Sequence, residues 1–251
     1  MLMIFRQSTV HFMVKKLGLY KLSLTIFFVL FITKPSFSAQ KLTCATTHYP
    51  PYTVFNESTK TFSGSDIDII TPLFEQLKID VKIINLPWAR LKKEIKKNRY
   101  DCYFSVGKFE YREKFLEYSN LPTHITTIAI FYPKHGSAID FKNKTVGVHR
   151  GINIHKNIPA SYGLESAIFH QLPSNEVLFD MLQNGRIDAI VTSKVVGEYI
   201  YKNMEANFDL AVLDIEKYKL PVYLAFKKDV IDISKVNNVL LKMKAATLPK
   251  E

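Results

Sequence analysis

From residue 42 onward, short apolar runs alternate with stretches of helical periodicity. Leu42 to Thr46 reads as a strand, and His48-Tyr49-Pro50-Pro51-Tyr52 as a turn after it. Ser63-Gly64-Ser65-Asp66 leads into a helix with Ile67, Ile70, Phe74 and Leu77 on one face. Val81 to Leu86 is a strand, Trp88 to Lys97 a short helix, and Tyr100 to Val106 a further strand. This β-α-β-α-β order predicts a parallel sheet covered by helices.

The pattern then restarts. Thr145 to His149 and Ala167 to Leu172 read as strands. Ser174 or Asn175 caps a helix carrying Val177, Leu178, Met181 and Leu182, and Asn184-Gly185 stops it. Ile187 to Thr192 is a strand and Val195 to Met204 a helix. Leu210 to Leu213 and Val222 to Phe226 read as extended, and Ile233, Val236, Leu240 and Met243 share one face of a last helix. Two similar α/β units with no low-complexity linker predict lobes joined by strands.

The first 38 residues do not fit this scheme. Lys15, Lys16 and Lys21 precede an uncharged run from Leu22 to Thr33, and Ser36 and Ser38 follow at the spacing of a cleavage site. That is the layout of a secretory signal peptide ending at Ser38. Twelve helical residues reach only about 18 Å, against a hydrocarbon core of about 30 Å, which argues against a membrane anchor. Met13 is a second candidate start. Export to the periplasm is the expected destination. Five of the 34 basic residues lie in this leader, so residues 39–251 exceed their 23 acidic residues by six. The formal +11 of the whole chain thus overstates the basicity. Lys92-Lys93 and Lys96-Lys97 recur at helical spacing beside Leu91 and Ile95 and read as a solvated helix face, so no nucleic-acid partner is expected. Cys44 and Cys102 are the two cysteines; one disulfide or two buried thiols both fit an exported chain.

No phosphate-cradling glycine motif and no G-x-S-x-G elbow occurs. The histidines never fall in H-x-H or H-E-x-x-H spacing. No catalytic residue, metal or cofactor is implied.

Six pieces stand in order along the chain: Tyr49-Pro50-Pro51-Tyr52, Gly64-Ser65-Asp66-Ile67-Asp68, Asn85-Leu86-Pro87-Trp88-Ala89-Arg90, Asp101 with Arg112 downstream, Val146-Gly147-Val148-His149-Arg150-Gly151, and Gly185-Arg186-Ile187-Asp188-Ala189. Together, from Leu42 to about Ala246, they resemble the polar amino-acid family of periplasmic solute-binding proteins, the receptors of ABC importers. Pro-Trp-Ala-Arg is similar to a less characterised branch. The resemblance implies a two-lobed α/β fold of mainly parallel sheets: lobe 1 from 39–125 plus 218–251, lobe 2 from 126–217, and two crossover strands. It also implies a monomer that holds a small polar solute between the lobes and hands it to an importer.

On that resemblance, the Tyr49 ring covers the solute, Trp88 forms the opposite wall, and Arg112 pairs with a carboxylate, with Ser105 beside it. A planar guanidinium suits that task because it grips both oxygens. Arg90 and Arg150 are further cleft candidates; Asp68 supports the helix start. Two positions depart from the family. Ile152 and Asn153 stand where a hydroxyl donor is common, and Ser193 stands where an aspartate binds the α-ammonium; Asn153 and Ser193 are ligand-binding candidates at those places. A buried ammonium without a counter-charge is costly, so an ordinary α-amino acid is not the expected ligand. An enzyme like the cyclohexadienyl dehydratases, with Glu176 or Asp180 as acid, and a sensor module for a membrane partner remain open alternatives on the same scaffold.

Overall fold

A computed structural model describes residues 40–134, 140–152, 158 and 160–247. The leader expected at 1–38 and the candidate Asn153 lie outside them.

The elements run β1 (Gln40–Thr46), β2 (Val54–Asn56), β3 (Thr61–Ser63), α1 (Ser65–Leu77), β4 (Ile79–Asn85), α2 (Trp88–Lys96), β5 (Cys102–Gly107), α3 (Glu110–Glu113), β6 (Leu116–Tyr118) and β7 (His124–Pro133). They continue with β8 (Thr145–His149), β9 (Ile168–Leu172), α4 (Asn175–Gln183), β10 (Ala189–Ser193), α5 (Lys194–Asn203), β11 (Leu210–Lys227) and α6 (Ile233–Thr247). Among the described residues no helix is long and apolar enough to cross a membrane.

One nine-stranded sheet carries the order β4-β1-β5-β11-β7-β10-β8-β9, with β6 also paired to β11. Its two flanks are parallel: β1 lies between β4 and β5, and β8 lies between β10 and β9. Antiparallel β11 and β7 join the flanks. β11 is one strand where the sequence shows two extended pieces. Its first part pairs with β7 and its last part with β5 and β6, and its register against β7 shifts between Ile215 and Lys219.

The helices form where the apolar period demands. Ile67, Ile70, Leu73 and Phe74 bury one face of α1, while Asp66 and Asp68 in its first turn complement the helix dipole. Ser174 caps α4 through Val177 N–H, as its side chain predicts. The buried side chains fall into four clusters. Two draw on residues 42–118 together with 224–240, and two draw on residues 128–215 with Tyr52 added. Each fully buried Leu, Ile or Phe contributes about 1.5–3 kcal/mol. Leu73, Phe104, Phe131 and Phe179 are all completely enclosed.

Cys44 and Cys102 face each other across β1 and β5 and are joined in a disulfide. The bond encloses β2, β3, α1, β4 and α2, and both residues are fully buried. α5 lies against β7 at Gly197, where an added Cβ would overlap the Phe131 ring.

Candidate functional site

The ends of β1, β5, β8 and β10 converge on a cavity of about 310 Å³, at the strand carboxyl ends where open α/β sheets hold ligands. Five of the eight sequence candidates line it: Tyr49, Trp88, Ser105, Arg112 and Ser193.

Arg112 is the central feature. It is only 3% exposed. One Nη donates to the Gly107 carbonyl at 2.8 Å. Its guanidinium lies 5.4 Å from the Trp88 ring, 5.0 Å from Phe109 and 5.4 Å from Tyr111, a cation held among aromatic faces. It forms no ion pair within the described residues; neighbouring Glu113 pairs with Lys108 instead, at 3.1 Å. A guanidinium taken out of water without an anion is unfavourable, and its free donors form a ready carboxylate grip.

Ser105 holds a left-handed backbone conformation within β5, at φ 59°. Such strain in a non-glycine residue costs about 1–3 kcal/mol and concentrates at ligand sites. Its hydroxyl donates to Asp66, whose other oxygen accepts from His124 Nδ1 at 2.8 Å. The His124 ring stacks on Tyr52, with Tyr49 next to both. Asp66 is thereby fully enclosed behind the wall, and it does not line the cavity. Burial pushes the Tyr49 phenol up to about 12; the Asp66 charge adds to this, while nearby Ser193 and Thr126 hydroxyls offset part of it. Tyr49 is therefore an O–H group at physiological pH.

Among the cavity residues that the sequence passes over, two have a detectable signal. Lys92 lines the cavity although its neighbours Lys93, Lys96 and Lys97 are exposed. It follows Trp88 by one helical turn, so the two share a face. Its Nζ donates to the Gly151 carbonyl at 2.6 Å. Burial, followed by repulsion from Arg112 and Lys96, lowers its pKa. Arg90, two residues from Trp88, turns away from that face. It is exposed, does not line the cavity, and reaches Glu94 at 3.9 Å.

The second omission follows the strand period. His149 is the last residue of β8 and Arg150 opens the turn after it, its backbone N–H still bonded to Leu172 of β9, so the two side chains point to opposite sides. His149 lines the cavity while Arg150 is exposed and does not. His149 Nε2 donates to the Pro173 carbonyl at 2.9 Å. Burial lowers the imidazole pKa, partly countered by that bond, so the ring is neutral with Nδ1 as acceptor. Among the described residues, His149 Nδ1 and Trp88 Nε1 are buried polar atoms without a hydrogen-bond partner. Gly151 has φ 86° and lies so close to α2 that a Cβ would come within 3.3 Å of Ala89.

Lys92 and Arg112 give the wall two cations, and among the described residues no aspartate or glutamate lines it. Glu176 and Asp180, the acids an enzyme reading would use, line a different hollow beside His48. Glu176 accepts from His48 there at 3.2 Å.

A sheet that gathers aromatic faces, an enclosed guanidinium and unpaired polar atoms around a solute-sized space belongs to a small-molecule-binding protein. The chain is a member of the bacterial extracellular solute-binding proteins, family 3, whose model matches residues 42–247. No curated protein sequence matches it. Among solved structures it is similar to the substrate binding protein of an amino acid ABC transporter, with 22% identity and a TM-score of 0.68 over 82% of this chain and 94% of the other. A histidine kinase sensor domain similar to periplasmic binding proteins gives 17% and 0.71, over 83% and 92%. An ancestral amino acid-binding protein, a precursor of cyclohexadienyl dehydratase, gives 22% and 0.68, over 82% and 89%. At these identities the likeness is one of fold, and the fold is that of the periplasmic binding proteins.

Proposed function

We propose that this protein captures a small carboxylate-bearing solute between two lobes and delivers it to an ABC importer from the periplasm, after loss of a leader ending at Ser38. The lobes are 39–125 plus 218–251 and 126–217, and the β11 irregularity between Ile215 and Lys219 is the natural hinge. The buried clusters divide along nearly the same line. The observation that carries the reading is Arg112, enclosed and without a carboxylate partner among the described residues.

The solute is not an α-amino acid held in the usual way. Ser193 offers a hydroxyl where an ammonium would need a carboxylate, and no acid among the described lining residues replaces it. Asp66 is already bound by Ser105 and His124, while Asp68 is exposed and outside the lining.

Calorimetry with carboxylates and the standard L-amino acids tests this. Arg112→Ala should weaken carboxylate binding by about 2–5 kcal/mol with the fold intact, the effect of removing one partner of a buried charge pair. Equal affinity in variant and wild type removes Arg112 from the site. Sub-micromolar binding of an amino acid, abolished when its amino group is removed, refutes the reading of Ser193.

A further inference from the structure

We propose that the solute is a dianion with a flat, unsaturated or aromatic body, one anionic group held by Arg112 and the other by Lys92. This rests on the carboxylate reading above and deepens it.

Lys92 and Arg112 line one cavity, and among the described residues no acidic side chain lines it with them. Asp66, buried behind the wall, is engaged by Ser105 and His124, and Glu94 on the helix of Lys92 faces Arg90 and Arg99 and is outside the lining. A monocarboxylate would neutralise one cation and leave the other half-buried beside it. A zwitterion would add a third positive group to the same space. Two anionic groups on one solute balance the pair.

Lys92 has a partner already, the Gly151 carbonyl at 2.6 Å. That contact anchors the ammonium without neutralising it, because a carbonyl carries no net charge. Two N–H donors remain on Nζ. The contact therefore positions Lys92 as a binding group.

Geometry sets the body of the solute. Lys92 and Trp88 lie one turn apart on the same face of α2, and the Trp88 ring lies 5.4 Å from the Arg112 guanidinium. Both cations thus belong to one wall. Tyr49, Phe109 and Tyr218 supply further rings around the space, and Ile128 and Leu220 close it with apolar surface. Such a lining favours a flat π-face between the charged ends.

The test uses matched probes. Isophthalate and phenylsuccinate are titrated beside benzoate, 3-phenylpropanoate and L-phenylalanine by calorimetry at fixed ionic strength. At least one dianion should bind about tenfold or more tighter than its monoanionic match. Lys92→Met should abolish that preference, weakening the dianion about tenfold more than its monoanionic match. Lys92→Arg should keep the preference. Arg112→Ala should weaken both classes. Equal binding of mono- and dianions, a preference that survives Lys92→Met, or no binding of either dianion overturns this inference. If Arg112→Ala still weakens monoanions, the carboxylate reading stands; if it does not, that reading falls too.

Discussion

Replacing both Cys44 and Cys102 by alanine should destabilise the protein by about 4 kcal/mol. The two residues are 58 apart in sequence, so the bond closes a long loop in the unfolded chain. In the chain-entropy account, a loop of that length removes about 14 cal/mol/K from the unfolded ensemble, or about 4 kcal/mol at 25 °C. Both sulfurs sit in the cluster with Leu42, Phe104 and Phe226, so the voids left by the double variant add to the loss. For a domain of this size each kcal/mol moves the melting temperature by about 2–4 °C, which makes the expected fall about 10 °C. Far-UV circular dichroism of oxidised wild type and double variant measures it. Fully reduced wild type separates the two contributions, because it keeps the sulfur atoms and lacks the loop closure. It should lose most of the 10 °C. A double variant melting within 2–3 °C of wild type would refute the loop-closure reasoning.

Gly197→Ala should lower the urea midpoint without altering the m-value. Overpacking against Phe131 costs about 1–3 kcal/mol, and the better helix propensity of alanine returns about 1. An unchanged midpoint would mean that the Phe131 ring yields freely. Acid should destabilise the protein in two windows. His149 has a depressed folded pKa, so its stabilising effect is complete above its ordinary 6.5 and fades as the pH falls below that. Burial pushes the Glu176 carboxyl up, but bonds from His48, its own backbone N–H and Ser174 outweigh it and hold it at about 2. Its contribution is complete above 4.5 and is lost between 4.5 and about 2. Melting temperature against pH should show both falls. His149→Gln should erase the first and Glu176→Gln the second, and a profile unchanged by either substitution would contradict the assignment.

Periodicity made most of the fold legible. α1, α4 and α6 announce themselves through apolar faces, and the flanking parallel strands through short apolar runs. β11 did not, because Asp214, Glu216, Lys217 and Lys219 interrupt its apolar ends. Long-range pairing with β7 and β5 makes it one strand, and no local pattern reports that pairing. β7 and the β2–β3 hairpin were likewise hidden. At the site, the motif residues Tyr49, Trp88, Ser105, Arg112 and Ser193 converge on the cavity. Arg90 and Arg150 drew attention through residue type, yet the helix and strand periods turn them outward and bring Lys92 and His149 inward. Side-chain direction carried the information there, and it depends on the element each residue joins.

The interleaving of the buried clusters bears on the order in which a nascent chain can fold. The clusters around Leu42 and Tyr103 are incomplete without Leu224, Ala225, Phe226, Val236 and Leu240, which a ribosome adds last. Residues 128–215 supply nearly all of their own interior. The segment made first therefore waits for the segment made last, while the middle can settle as soon as it is released. A ribosome-stalled chain ending at residue 220 should stay open to protease over residues 40–121 and resist it over 128–215. Resistance in the early segment would contradict this order. A chain arranged in this way leaves residues 40–121 without a finished core until synthesis is nearly complete.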